Sequence, residues 1–372
     1  MYGVKGDWHF LEDTAWFSLF RIGAQVVTGH DDSSTVANNT ASEDMDNTVM
    51  SVDGEIRARK WFSVMFELAR SMYVQDDDAV TKDRAHGTAF KVQPSVRLFE
   101  DSVNLSYLYY YVQPEFYTAF GSASRDKIQH QFSVDWRINE KATLSVVENL
   151  YWDHVESSTQ TKRTVYDEKY ITLNLRPWEA RENFSLRPYL NYLAKRSDDP
   201  GNSIESNTST MGFSINDRIK EAVVSGFYEY RAYDDKATPT NSDYFNRFGG
   251  SISRDWTLWG KRLYLALNYS TDLRRTKRDT NDDVNTGLSF NGSYDVLEPV
   301  TMRFGYNVST ANNAGPDSDY NNYKSHLELD YTLSDKRASH IILRGEYNRY
   351  DHEDGGQDYN EFLLVSRFVT NF

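Results

Sequence analysis

Read two residues at a time, nearly every stretch of this chain sorts into one apolar and one polar face. In RLYLALNYSTDLR, Leu263, Leu265, Leu267, Tyr269 and Leu273 share one side, and Tyr264, Ala266, Asn268, Ser270, Asp272 and Arg274 the other. In VTMRFGYNVS, Val300, Met302, Phe304, Tyr306 and Val308 oppose Thr301, Arg303, Gly305, Asn307 and Ser309. Successive side chains of a strand point to opposite faces, so this period writes a half-apolar β-strand and rejects the 3.6-residue helix. About eighteen segments fit the same template, near 16–28, 49–60, 62–74, 87–98, 103–113, 127–138, 143–153, 164–176, 184–195, 207–216, 222–233, 244–254, 263–274, 284–296, 300–310, 323–333, 340–350 and 359–372. Each is near the roughly 9 to 11 residues with which a tilted strand crosses a bilayer.

The connections alternate as well. RKW (59–61), FEDS (99–102), NEKA (139–142), VLEP (296–299) and SDKRA (334–338) are short. Between them lie longer polar runs such as 29–47, 75–86, 153–163, 276–283, 310–321 and 351–358. A sheet that runs up and down, with one tight end and one elaborate end, writes this pattern without a domain break.

Totals alone point elsewhere. Mean hydropathy is -0.69, and no stretch approaches the roughly 18 consecutive apolar residues of a membrane helix. Three details counter that impression. Aromatics reach 15%, with 26 Tyr against 7 Met, a strand-like preference. Cysteine is absent, which excludes disulfides, thiolate-zinc sites and thiol catalysis. The net charge of -14 excludes an electrostatic match to nucleic acid, yet it is compatible with a membrane if carried by loops. The opening MYGVKG lacks the basic start and apolar run of an export signal.

Alternation by itself fits two opposite arrangements. A soluble antiparallel sandwich buries the apolar face, whereas a membrane barrel turns it to lipid and keeps polar residues inside. Eighteen strands are too many for an ordinary open soluble sheet. Trp16, Trp61, Trp178, Trp256 and Trp259 fall beside short connections, and Trp152 near a long one, as an interfacial girdle requires. The chain ends EFLLVSRFVTNF, with Phe362, Leu364, Phe368 and Phe372 all at even positions. This ending resembles the β-signal read by the outer-membrane assembly machinery, departing from it at Ser366 and Thr370. Over its full length the chain resembles the bacterial outer-membrane β-barrel superfamily, without a motif that selects one family.

That resemblance implies an all-β, transmembrane, antiparallel up-and-down barrel in the outer membrane. It would have about 18 strands (16 or 20 fit the same pattern), short periplasmic turns and long extracellular loops. Residues 1–15 are expected as a periplasmic extension or small plug, and 16–372 as one barrel domain. The last strand is expected to pair with the first, around WFSLFRIGAQVV. The bilayer, lipopolysaccharide and the assembly machinery are the implied partners, and no cofactor is implied.

The polar face then lines a lumen. Its candidate lining residues are Arg21, Arg57, Arg59, Lys91, Arg97, Arg137, Arg176, Arg187, Arg274, Arg303, Arg344 and Arg367, with Asp53, Glu55, Glu328 and Asp330. So many charges are tolerable only in water. They either guide anions or pair across strands and merely solvate the wall. Tyr110, Tyr170, Tyr189, Tyr233 and Tyr264 offer stacking faces for sugar rings, or ordinary wall packing. QDDDAVTKD and TNDDVN lack the glycine and terminal glutamate of an EF-hand and read as solvated loops.

No GxSxG, HExxH, GxGxxG or P-loop occurs, and the eight His are scattered. His352 beside Glu353 and Asp354 could imitate a rim catalytic cluster, but an acidic loop explains it equally. The leading expectation is a non-enzymatic channel for hydrophilic solutes, either porin-type diffusion, with the 29–47 loop as an inward constriction, or polysaccharide export with periplasmic partners. The alternative is a sheath around a protein such as a multihaem cytochrome, and a rim-sited hydrolase is a minor one.

Overall fold

The computed structural model describes residues 2–12, 14, 16–31, 45–76, 82–117, 126–153, 163–179, 181, 183–197, 204–277, 282–312, 319–334, 339–352 and 357–369. Among the described residues there are nineteen β-strands, paired antiparallel with their neighbours in the chain within each part described below. In chain order they are Tyr2–Glu12 (β1), Phe17–Asp31 (β2), Met45–Ala58 (β3), Phe62–Asp76 (β4), Lys82–Leu98 (β5), Val103–Val112 (β6), Lys127–Asn139 (β7), Ala142–Asp153 (β8), Thr164–Leu175 (β9) and Ser185–Ser197 (β10). There follow Glu205–Ile219 (β11), Ala222–Asp235 (β12), Asp243–Leu258 (β13), Lys261–Thr276 (β14), Asp282–Leu297 (β15), Val300–Asn312 (β16), Tyr320–Ser334 (β17), Ser339–His352 (β18) and Tyr359–Val369 (β19). Strand lengths run from 10 residues in β6 to 17 in β5, enough to cross a bilayer at a tilt.

Two compact units divide the chain. The first comprises 1–172 with 191–207, and the second 173–190 with 208–372. In the first, β1 to β8 pair consecutively. In the second, β12 to β19 do the same.

Two expectations are corrected here. Residues 2–12 are neither an extension nor a plug but the strand β1, so nineteen strands stand where eighteen were expected. The cause is its own period: Val4 sits opposite Val26 and Trp8 opposite Ile22, while Lys5 faces Gln25 and His9 faces Arg21. Within the first unit the first expected strand, β2, pairs with β1 on one side and β3 on the other.

Registers keep like with like. Leu267 lies between Ile252 and Phe290, and Asn268 between Ser251 and Ser289. The apolar face is the one left open. Phe362 is 71% exposed, Leu364 72% and Leu68 51%. In a water-soluble domain that face would drive association; a lipid-facing strand presents it to acyl chains. Large rings also fill gaps left by glycine on this face. A Cβ on Gly54 would fall into the ring of Phe66, and one on Gly292 into that of Phe304.

Tight turns close one end of each unit. Trp259 and Gly260 form a two-residue hairpin with φ of 52° and 75°, the left-handed pair that a type I′ turn needs. Trp16, Trp61, Trp178 and Trp259 stand exposed beside such turns.

Candidate functional site

The polar face carries the chemistry, and in the first unit its charges are organised across strands. Arg21 on β2 donates to Asp7 on β1 at 3.2 Å and to Asp53 on β3 at 2.9 Å. On β3, Arg57 pairs with Glu55 at 2.5 Å. Lys91 on β5 sits opposite Glu67 on β4. Further round, Tyr151 and Tyr166 stack at 4.3 Å and 10°. Lys127 caps the first ring at 4.4 Å and Lys195 the second at 5.3 Å. Asp153 accepts from the Tyr166 hydroxyl at 3.2 Å and from the Thr164 amide at 2.9 Å. Both ring pairs of faces are thereby used, so this stack braces the wall.

One connection folds onto the polar face. Residues 113–117, which follow β6, lie over β3, β4 and β5. Phe116 is 3% exposed and packs with Ala69, Ala89 and Val112. The Tyr117 amide donates to Ser71 Oγ at 2.9 Å, and Asn47 Nδ2 donates to the Tyr117 carbonyl at 3.1 Å. Gln113 Oε1 accepts from the Thr88 amide at 2.8 Å. Small side chains make the room: a Cβ on Gly87 would collide with the Phe116 backbone. The segment lays a second layer of chain over the polar face of β3 to β5. The constriction expected from the 29–47 loop cannot be compared with it, because 32–44 lie outside the described residues.

Toward the short turns, β3 to β6 line a recess of about 540 Å³. Arg57, Arg59, Lys60 and Arg97 face it with Glu55 and Asp101, above a floor of Gln93, Ser95, Asn104 and Ser106. Arg59 is in the turn after β3, in a left-handed conformation, with its guanidinium 4.7 Å over Trp16. Arg97 has no ion pair among the described residues.

In the second unit the polar face carries separate clusters of paired charges. Arg303 on β16 binds Glu328 at 2.7 Å and Asp330 at 2.9 Å on β17. Asp330 also meets His340 at 2.9 Å. Arg344 on β18 reaches Glu346 at 2.5 Å and Glu328 at 3.7 Å, and Lys324 reaches Glu346 at 3.3 Å. Arg274 and Arg231 converge on Asp243, which is almost fully buried, at 2.9 and 3.5 Å. Tyr189 donates to Glu229 at 2.5 Å. Charges paired across strands in this way hold the wall and leave little net field.

Of the candidate lining residues, the structure gathers Arg21 with Asp53, Glu55 with Arg57, and Arg303 and Arg344 with Glu328 and Asp330. Arg274 is held by Asp243. Arg137, near the end of β7, donates to the Glu100 carbonyl at 3.4 Å. Arg187 on β10 and Arg367 on β19 make no ion pair among the described residues, and Arg176 lies just beyond β9. Phe362, Leu364 and Phe368 share the open face of β19, whereas Phe372 lies outside the described residues. So do 77–81 of the first acidic loop, 280–281 of the second and the Glu353–Asp354 pair, whereas Asp282 and Asp283, expected in a solvated loop, begin β15, with Asp282 3.6 Å from Arg275. Asp7 is not among the candidate lining residues because 1–15 reads as an extension or plug; the alternation in YGVKGDWHF is the signal that places it on a strand. The inward segment was also missed, although the small residues Ser71, Gly87 and Ala89 at polar-face positions mark its seat.

No family model matches the sequence, and no curated protein matches it. Solved structures similar to it include Pseudomonas aeruginosa OccK11 (OpdR), at 10% identity over 95% of this chain and 94% of that one, with a TM-score of 0.40. Pseudomonas aeruginosa OpdQ has 9% identity over 94% and 97%, with a TM-score of 0.42. A BenF-like porin from Pseudomonas fluorescens Pf-5 has 11% identity over 97% and 100%, with a TM-score of 0.39. Superpositions this loose carry no residue correspondence. In this chain itself, up-and-down antiparallel strands of bilayer-crossing length, an open apolar face, aromatic residues beside tight turns and longer connections between them are the features of a bacterial outer-membrane β-barrel protein.

Proposed function

We propose that this protein is an outer-membrane channel whose polar faces line a water-filled conduit for hydrophilic solutes. One observation carries the reading. The strands pair a polar face, charged on most of them, with an apolar face that stands open, and only water on the first and lipid on the second satisfies both. Cross-strand ion pairs such as Arg21–Asp53 and Arg303–Glu328 brace the wall. Segment 113–117 limits the width. The basic recess at the short-turn end, with Arg97 free of ion pairs among the described residues, gives anionic solutes a place to pause.

The test is solute uptake. Liposomes carrying the refolded protein should swell in small sugars and amino acids, at rates that fall with solute size. Protein that is inserted and protease-protected, yet gives no swelling in any of these solutes, would overturn the reading.

A further inference from the structure

The apolar faces of the two units differ in one respect. On β12 to β19, every charge on that face lies within four residues of a strand end, as with Arg254, Arg275, Asp282 and Arg349. The first unit breaks this rule between β4 and β9. Arg70 follows Leu68 on the open face of β4, opposite Met50 and Thr88. Glu148 is seventh of the twelve residues of β8, opposite the exposed Phe132. Lys169 on β9 lies 3.7 Å from Glu148 and 3.2 Å from Asp167.

These four charges sum to zero, but they are not matched where they stand. One lysine serves two carboxylates, and Asp167 Oδ1 is shielded from solvent without a hydrogen-bond partner among the described residues. Arg70 is exposed and has no ion pair among the described residues. Arg70 stands eight residues from the short-turn end of β4, and Asp167 eight residues from that end of β9. At about 2.4 Å of depth per residue for a strand tilted about 45°, both sit about 19 Å in. Acyl chains are a poor solvent for either charge at that depth.

We propose that the open face from β4 to β9 is covered by a second copy of this chain, with Arg70 of one copy meeting Asp167 and Glu148 of the next. The proposal rests on the membrane reading above. Charge complementarity selects the occupant: the chain carries both the surplus carboxylate and the unmatched guanidinium, at one depth, five strands apart. Different patches meet, so the contact is head-to-tail, and each copy offers one patch to each of two neighbours. Elsewhere the apolar face remains for lipid.

Cysteine is absent from the chain, so introduced thiols report the contact cleanly. Leu68→Cys and Ile171→Cys flank the two charge sites on the same face. In membranes, a bifunctional thiol reagent should give a ladder of multimers when both cysteines are in one chain, and none with either alone. In mild detergent the native protein should migrate as an oligomer. Arg70→Glu should dissociate it, and Arg70→Glu with Asp167→Arg should restore it. Dimers from a single cysteine, no ladder from the pair, or an oligomer indifferent to Arg70→Glu would each overturn the proposal. Co-sedimentation with membranes and heat-modifiable migration, read on every variant, show separately whether the membrane reading and the fold survive.

Discussion

Arg21 on β2 donates to Asp53 on β3 across 2.9 Å, and its other amino group reaches Asp7 on β1. One guanidinium thus ties three strands on the polar face. Arg21→Gln removes the cation and leaves two carboxylates facing each other. Since these side chains are only partly buried, the expected loss is about 1 kcal/mol. It should appear as a lower urea midpoint for the refolded protein, together with a reversal potential shifted toward cations.

Gly87 is where the inward segment seats. A side chain there meets the Phe116 backbone, so Gly87→Val should lift residues 113–117 off β5. The expected result is a larger single-channel conductance with strand content unchanged by circular dichroism. Phe116→Ala should act in the same direction by removing an anchor worth about 3 kcal/mol when buried. Unchanged conductance in both variants would show that the segment does not set the width.

Arg97 lines the short-turn recess without an ion pair among the described residues. Arg97→Glu should therefore lower anion over cation permeability, measured as reversal potential in a salt gradient, and the change should weaken at high ionic strength as charges are screened.

The stripe on β19 resembles an assembly signal, and variants can separate that role from conduction. Phe362, Leu364 and Phe368 lie on the open face of β19. Removing Phe372, or changing Phe368→Asp, should reduce the folded, heat-modifiable fraction recovered from membranes several-fold. Molecules that do fold should keep native conductance.

The period of two was enough to reveal strand type, approximate bounds and the two faces, because register in a half-apolar sheet is fixed by which side each residue must take. Leu263 to Arg274 show this, falling on the faces their alternation dictates. Pairing partners were less legible. Nothing local tells Arg303 that it meets Glu328 and Asp330, since that depends on the register between β16 and β17. The first strand was lost by reading Tyr2–Glu12 as a tail, although Val4 and Trp8 already alternate with Lys5 and Asp7. The inward turn at 113–117 is a tertiary event. Its imprint is only the smallness of Ser71, Gly87 and Ala89, which read equally well as wall.

The central claim is an open aqueous path, and single-channel recording of the purified protein in a planar bilayer tests it most directly. Stable, ohmic conductance steps are expected, enlarged by Gly87→Val and made less anion-favouring by Arg97→Glu. Verified insertion with a silent bilayer, in the native protein and in Gly87→Val alike, would contradict it.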